Sequence, residues 1–145
     1  MENLTNNTAF HIYAACSAIL VLKMFAVTIA TGVARTRTKS TTNPEDAPML
    51  GYTVNAQEPP EVQRAHRLHR NDLENIPAFF AIGLIYVLMG ASTFGAQMYF
   101  ISFTVARILH TVTYLAHMQP WRTITFGVGF LSMLGITIQV LLAAL

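Results

Sequence analysis

The chain has 145 residues, of which 53% are hydrophobic and 11% charged, with a net charge of +2. Soluble domains carry about a quarter charged residues, so an integral membrane protein is expected. So small a net charge, with no basic tail, excludes a nucleic-acid binder. The one cysteine, Cys16, lies in an apolar run; no disulfide within the chain is possible, and the thiol is expected as a packed core group.

A spanning helix needs about 20 mostly apolar residues. Four stretches meet this, at about 10–34, 72–91, 95–117 and 122–145. The expected fold class is therefore all-α integral membrane, a bundle of four transmembrane helices in a single domain over residues 1–145. The first stretch has no basic segment before its apolar part and is too long for a signal peptide. It carries Lys23 near its middle, with no anion in its own helix, and Lys23 is read as structural.

A loop over about 35–71 follows, too short for a domain of its own. It contains two turn signals, Asn43-Pro44-Glu45-Asp46 and Pro59-Pro60. It also holds Arg35, Arg37, Lys39, Arg64, Arg67 and Arg70, and the turn before the fourth span adjoins Arg122. The N-terminus and the turn at 91–95 hold no Lys or Arg. By the positive-inside rule the loop and the third turn face the cytoplasm and both chain ends face the other side. The Asn-x-Thr sequons at Asn3 and Asn6 would lie on that other side.

At the start of the second span, Arg67, Arg70, Asn71 and Glu74 are spaced i, i+3, i+4, i+7 and share one helical face. Guanidinium forks, an amide and a carboxylate suit a small zwitterionic ligand, since Arg grips carboxylates bidentately and Glu accepts from an ammonium. Two plainer readings compete: an Arg70–Glu74 ion pair at the helix entrance, or arginines meeting lipid phosphates. In the third span Arg107, His110 and Tyr114 share a face, with Thr111 beside them. A charge at the bilayer centre costs from about 2.5 to over 10 kcal/mol, so Arg107 needs a partner. Glu74 is the expected one, in a buried pair that fixes helix packing. The fourth span opens with Arg122 and Thr123. A cation there opposes the helix dipole, which points to anion binding by Arg122, the Thr123 hydroxyl and free backbone N–H groups. The plainer reading is an interfacial anchor with Trp121.

Three polar faces with a basic surplus thus meet at one membrane surface. They imply a site for a small anionic, water-soluble ligand that an apolar co-substrate reaches from the lipid. No metal is expected, because nothing completes a site around His66 and His69.

Three segments then resemble a known family: Asn43-Pro44-Glu45-Asp46-Ala47, the run Arg67-x-His69-Arg70-Asn71-Asp72-Leu73-Glu74-Asn75-Ile76, and Arg107-x-x-His110-Thr111-x-x-Tyr114-Leu115. Together they resemble the MAPEG proteins (membrane-associated proteins in eicosanoid and glutathione metabolism), from Lys23 through the fourth span. The resemblance implies a homotrimer that binds glutathione as co-substrate near the cytoplasmic face, between subunits. It implies glutathione contacts from Arg35 (of a neighbouring subunit), Arg70, Asn71, Glu74, His110, Tyr114 and Arg122. Arg122 and Thr123 would attend the sulfur, and Asp46 would come from the loop to order the site. Glu74 then has two candidate partners, Arg107 and the ligand's ammonium group.

In family members that isomerise prostaglandin endoperoxides, the positions of Thr123 and Phe126 carry Ser and a hydroxylated aromatic. Phe126 cannot donate a hydrogen bond, which favours a glutathione transferase acting on lipophilic electrophiles or hydroperoxides. The alternatives are a glutathione-dependent prostaglandin E synthase-like isomerase and a non-catalytic membrane adaptor. The membrane would be the endoplasmic reticulum in a eukaryote or the inner membrane in a bacterium.

Overall fold

The computed structural model describes residues 4–145; of the two sequons, Asn3 lies outside the described residues. A short 3₁₀ turn, Leu4–Asn6, precedes α1 (Thr8–Thr38). Asn7 caps α1, its side-chain oxygen accepting from the Ala9 and Phe10 amides at 2.8 and 3.3 Å. This satisfies two of the donors that a helix start leaves without partners. The helix ends at Lys39, which adopts the left-handed conformation.

The loop that follows is shorter than its polar composition implied. α2 (Asp46–Leu50) and a parallel pair of two-residue strands, Ser40–Thr41 with Thr53–Val54, fold it back on itself. α3 then runs from Pro60 to Leu88. Pro60 is the residue that starts the helix, since a proline's fixed φ suits the first helical position and its missing N–H is not needed there. The charged segment 61–71 is therefore helical, and the apolar stretch expected from residue 72 continues a helix already three turns long.

A turn through Gly90 (φ 85°) leads to α4 (Thr93–Ala96), capped by Ser92, then a π-helical turn (Gln97–Ile101) and α5 (Ser102–Leu115). These three form one continuous helical segment. α6 (Trp121–Ala144) closes the chain. Four long helical segments thus pack together, chiefly α1 on α3 and α5 on α6. Two of them, α1 and α6, are long and apolar enough to cross a membrane by length and composition, with mean hydropathies of 2.1 and 2.0.

The core lies between these segments. α3 buries Ala65, Leu68, Asp72, Ile76, Phe79, Gly83 and Tyr86, a stripe at three- and four-residue spacing. Phe79 stacks on Phe103 at 4.6 Å between ring centres and meets Phe100 edge-on. Cys16 is buried, as expected. At Gly83 α3 packs tightly on α1: a Cβ there would stand 3.1 Å from the Tyr13 ring. The same Tyr13 donates its hydroxyl to the Phe80 carbonyl at 2.8 Å.

Outward faces are apolar over large areas. Leu22, Phe25 and Ile29 on α1 and Leu131 and Leu142 on α6 are all more than half exposed. Soluble monomers rarely show contiguous apolar surface on this scale, whereas lipid or a neighbouring subunit would cover it.

Candidate functional site

α3 and α5 meet α6 at the end of the bundle beside the loop. Arg67, Arg70, Asn71 and Glu74 of α3, His110 and Tyr114 of α5 and Arg122 of α6 line one open pocket of about 310 Å³. Six residues anticipated as ligand contacts (Arg70, Asn71, Glu74, His110, Tyr114, Arg122) are therefore brought together within the single chain. Arg67, anticipated on the same helical face, joins them.

The pocket is held by contacts between elements. His110 is buried, and its Nδ1–H donates to the Arg122 carbonyl at 3.1 Å, which ties α5 to the first turn of α6. In the neutral ring Nε2 is then an acceptor, and it is buried with no hydrogen-bond partner. The Arg122 guanidinium carbon lies 5.2 Å from the centre of the Tyr114 ring, and that of Arg64 lies 5.6 Å from it. Both are within cation–π range. Arg64 also donates to the Tyr114 carbonyl at 3.0 Å, anchoring the end of α5 to the first turns of α3.

Thr123 does not line this pocket. It is exposed, and its hydroxyl bonds to the Gln119 amide at 3.1 Å. With that amide turned so that its oxygen faces Arg122, the oxygen accepts from Nη2 and Nε at 2.6 and 3.1 Å while its nitrogen donates to Thr123. In that orientation Gln119 links Thr123 to the guanidinium.

Arg35 and Asp46 line a second pocket, of about 270 Å³, with Thr36, Thr41 and Tyr52. Arg35 donates to Glu58 at 2.6 Å, and the Asn43 amide donates to Asp46 at 2.9 Å. Within the chain these two residues belong to the loop end of α1 and not to the pocket of Arg122.

The expected partner of Arg107 needs correction. Arg107 is almost fully buried and donates to Asp72 Oδ1 at 2.9 Å. Lys23 makes a second ion pair with the same oxygen. Glu74 is exposed and lines the pocket instead. The reason is helical phase: Asp72 lies four residues from both Leu68 and Ile76 on the buried stripe of α3, whereas Glu74 lies off it. That phase was readable in the sequence, and would have placed the carboxylate between the two cations of α1 and α5. Lys23 is accordingly held by an anion on another helix. The Asn71 side-chain oxygen accepts from the same Arg107 nitrogen at 2.5 Å, so the buried charge cluster touches the pocket wall.

Residues 13–142 match the model of the MAPEG family. The chain belongs to the MAPEG family. It is 40% identical to human prostaglandin E synthase over 127 residues, covering 87% of this chain and 84% of that protein. It is 36% identical to the bovine prostaglandin E synthase over 138 residues, or 94% and 90% of the two chains. Mouse microsomal glutathione S-transferase 1 is 37% identical over 135 residues, covering 90% of this chain and 87% of that one. Within the MAPEG fold, the Arg70-Asn71-Asp72 run divides its work. Two side chains face the pocket, and the third closes the core.

Proposed function

We propose that this MAPEG protein is a membrane-bound glutathione transferase, which conjugates glutathione to lipophilic electrophiles or uses it to reduce lipophilic hydroperoxides. The observation that carries the reading is the pocket itself. Three guanidiniums, an amide, a carboxylate, an imidazole and a phenol ring it, a set that fits a small peptide with two carboxylates and one ammonium. Arg67 and Arg70 take carboxylates, Glu74 takes the ammonium, and Asn71 and His110 take the remaining polar groups.

Arg122 acts on the sulfur. A thiol near neutral pH is mostly protonated, and an adjacent guanidinium favours the thiolate by charge. The thiolate then attacks the electrophilic carbon of the co-substrate and the leaving group departs with its electron pair. With a hydroperoxide, attack on the terminal peroxide oxygen breaks the O–O bond; the alkoxide leaves and takes a proton to become the alcohol, and the glutathione sulfenic acid so formed reacts with a second glutathione to give the disulfide and water. Thr123, linked to Arg122 through Gln119, steadies the guanidinium or turns its hydroxyl to the sulfur. The four long helices lie in the bilayer with the pocket at the cytoplasmic face. Three subunits assemble so that Arg35 of a neighbour completes the site, and Asp46 comes from the loop to order it.

A second reading, isomerisation of a prostaglandin endoperoxide with glutathione, is favoured by the names of the relatives at up to 40% identity. Phe126 speaks against it, since a ring without a hydroxyl cannot donate to a substrate oxygen. Titration calorimetry with glutathione in detergent tests the binding on which both readings rest. Turnover of a chlorinated nitrobenzene, compared with product analysis on a prostaglandin endoperoxide, separates them. The transferase reading expects the first to proceed and to depend on Arg122. It fails if Arg122→Ala turns over the nitrobenzene as fast as the unaltered protein.

A further inference from the structure

Lys23 sits in the middle of α1 and does not line the pocket, yet it holds a carboxylate that bears on the pocket wall. Both buried cations use one oxygen of Asp72: Lys23 pairs with Oδ1, and Arg107 Nη2 donates to Oδ1 at 2.9 Å. Asp72 Oδ2, Arg107 Nε and Lys23 Nζ are buried with no hydrogen-bond partner, so Lys23 meets Oδ1 as an ion pair alone. This is not how a guanidinium and a carboxylate settle when left alone, because two parallel N–H···O bonds are stronger and geometrically preferred. Here Arg107 keeps a single-pronged grip and shares Nη2 with Asn71 Oδ1 at 2.5 Å.

That shared nitrogen has a consequence for the pocket. Arg can only donate, so the Asn71 amide must turn its oxygen towards Arg107. Its NH₂ is left to face a ligand, and the pocket reads Asn71 as a donor.

We propose that Lys23 is a positioning residue for the pocket. By holding Asp72 Oδ1 it keeps Arg107 single-pronged, so that Nη2 stays on Asn71 and the Asn71 amide presents N–H to a carboxylate or carbonyl oxygen of the ligand. Without the ammonium, Asp72 turns to offer both oxygens to Arg107 and draws the guanidinium into a coplanar fork through Nε and Nη2; that rotation swings the second Nη2 hydrogen off Asn71 Oδ1, and the amide is free to rotate. The proposal rests on reading the pocket as a glutathione site. Its first step, the orientation of Asn71, needs no ligand to be measured.

The variant Lys23→Met is suited to the test because it leaves one buried anion facing one cation, so charge in the core balances better than before and the chain is expected to fold. The full-length protein in nanodiscs, with asparagine side chains ¹⁵N-labelled, gives a signal for the Asn71 NH₂ that is assigned by its loss in Asn71→Ala. Lys23→Met should move that signal while leaving those of Asn43 and Asn55 in the loop unmoved, and Lys23→Arg should restore it. An Asn71 signal unchanged in Lys23→Met overturns the proposal, whatever the ligand. In parallel, Lys23→Met should bind glutathione about tenfold more weakly, the loss of one hydrogen bond to a charged group. KM for glutathione should rise while kcat stays close to the unaltered value. In an Asn71→Ala background the same change should add nothing. Equal glutathione affinity in Lys23→Met and the unaltered protein also overturns the proposal. An unaltered protein that binds no glutathione overturns the functional reading of the pocket instead, and the Asn71 signal still decides the role of Lys23.

Discussion

Asp72 and Glu74 stand two residues apart on α3 and do opposite things: Asp72 is fully buried against Lys23 and Arg107, while Glu74 is exposed at the pocket. The two carboxylates therefore separate stability from binding. Asp72→Asn would leave two buried cations without an anion. Breaking a buried pair in this way costs about 3–5 kcal/mol, and a large drop in melting temperature in detergent is expected. Glu74→Gln, at an exposed position, should leave melting nearly unchanged and weaken glutathione binding. Equal melting of Asp72→Asn and the unaltered protein would contradict the buried cluster.

Arg122 offers a different test, because its side chain contributes charge to the pocket while its carbonyl holds His110. A side-chain substitution leaves the backbone contact in place. Arg122→Ala is thus expected to fold, to retain most of its affinity for glutathione, and to lose about a hundredfold or more in kcat, the scale seen when one preorganised charge-stabilising group is removed. Stopped-flow absorbance of the bound thiolate would follow the same order: present in the unaltered protein, reduced in Arg122→Lys, and absent in Arg122→Ala.

Much of the site was legible from spacing, because a helix turns an i, i+3, i+4, i+7 pattern into a face whatever the helix packs against. Arg67, Arg70, Asn71 and Glu74 line one pocket for that reason. Tertiary relationships were harder. Arg107 needed an anion, and charge alone could not choose between two carboxylates on the same helix; the apolar stripe of α3 could, since Asp72 lies in it. The start of α3 was hidden by polarity. Residues 61–71 read as loop because they are charged, yet one face of that segment buries Val62, Ala65 and Leu68. Arg64 was read only as one of the loop's basic residues and Glu58 was not singled out, and their contacts to Tyr114 and Arg35 join parts of the chain that no local pattern connects.

The approach of α1 to α3 at Gly83 sets a steric prediction. A Cβ at Gly83 would meet two atoms of the Tyr13 ring at 3.1 and 3.2 Å. Gly83→Ala needs only a small yield of that ring. Gly83→Val must displace it and disturb the Tyr13 hydroxyl's bond to the Phe80 carbonyl. Overpacking of this kind costs about 1–3 kcal/mol. Thermal melting should fall in the order unaltered, Ala, Val. Replacing Tyr13 by Phe in the Val variant should recover little, because the clash lies at the ring edge and not at the hydroxyl.

Arg35 and Arg122 line different pockets of the chain, and the proposed trimer joins them across a subunit boundary. In this chain Arg35 is already engaged by Glu58 at 2.6 Å, so a ligand carboxylate from a neighbour would have to share or displace that partner. Co-expression makes the arrangement measurable. Arg35→Ala and Arg122→Ala subunits should each be nearly inactive as homotrimers. If each site takes Arg35 from one subunit and Arg122 from the next, random mixing regenerates intact sites at about a quarter of the total, by the statistics of a closed ring. If both residues serve the site of their own subunit, no mixture contains an intact site and activity stays at the level of the single variants. Nitrobenzene conjugation by the co-purified mixture, normalised to subunit content, distinguishes the two arrangements.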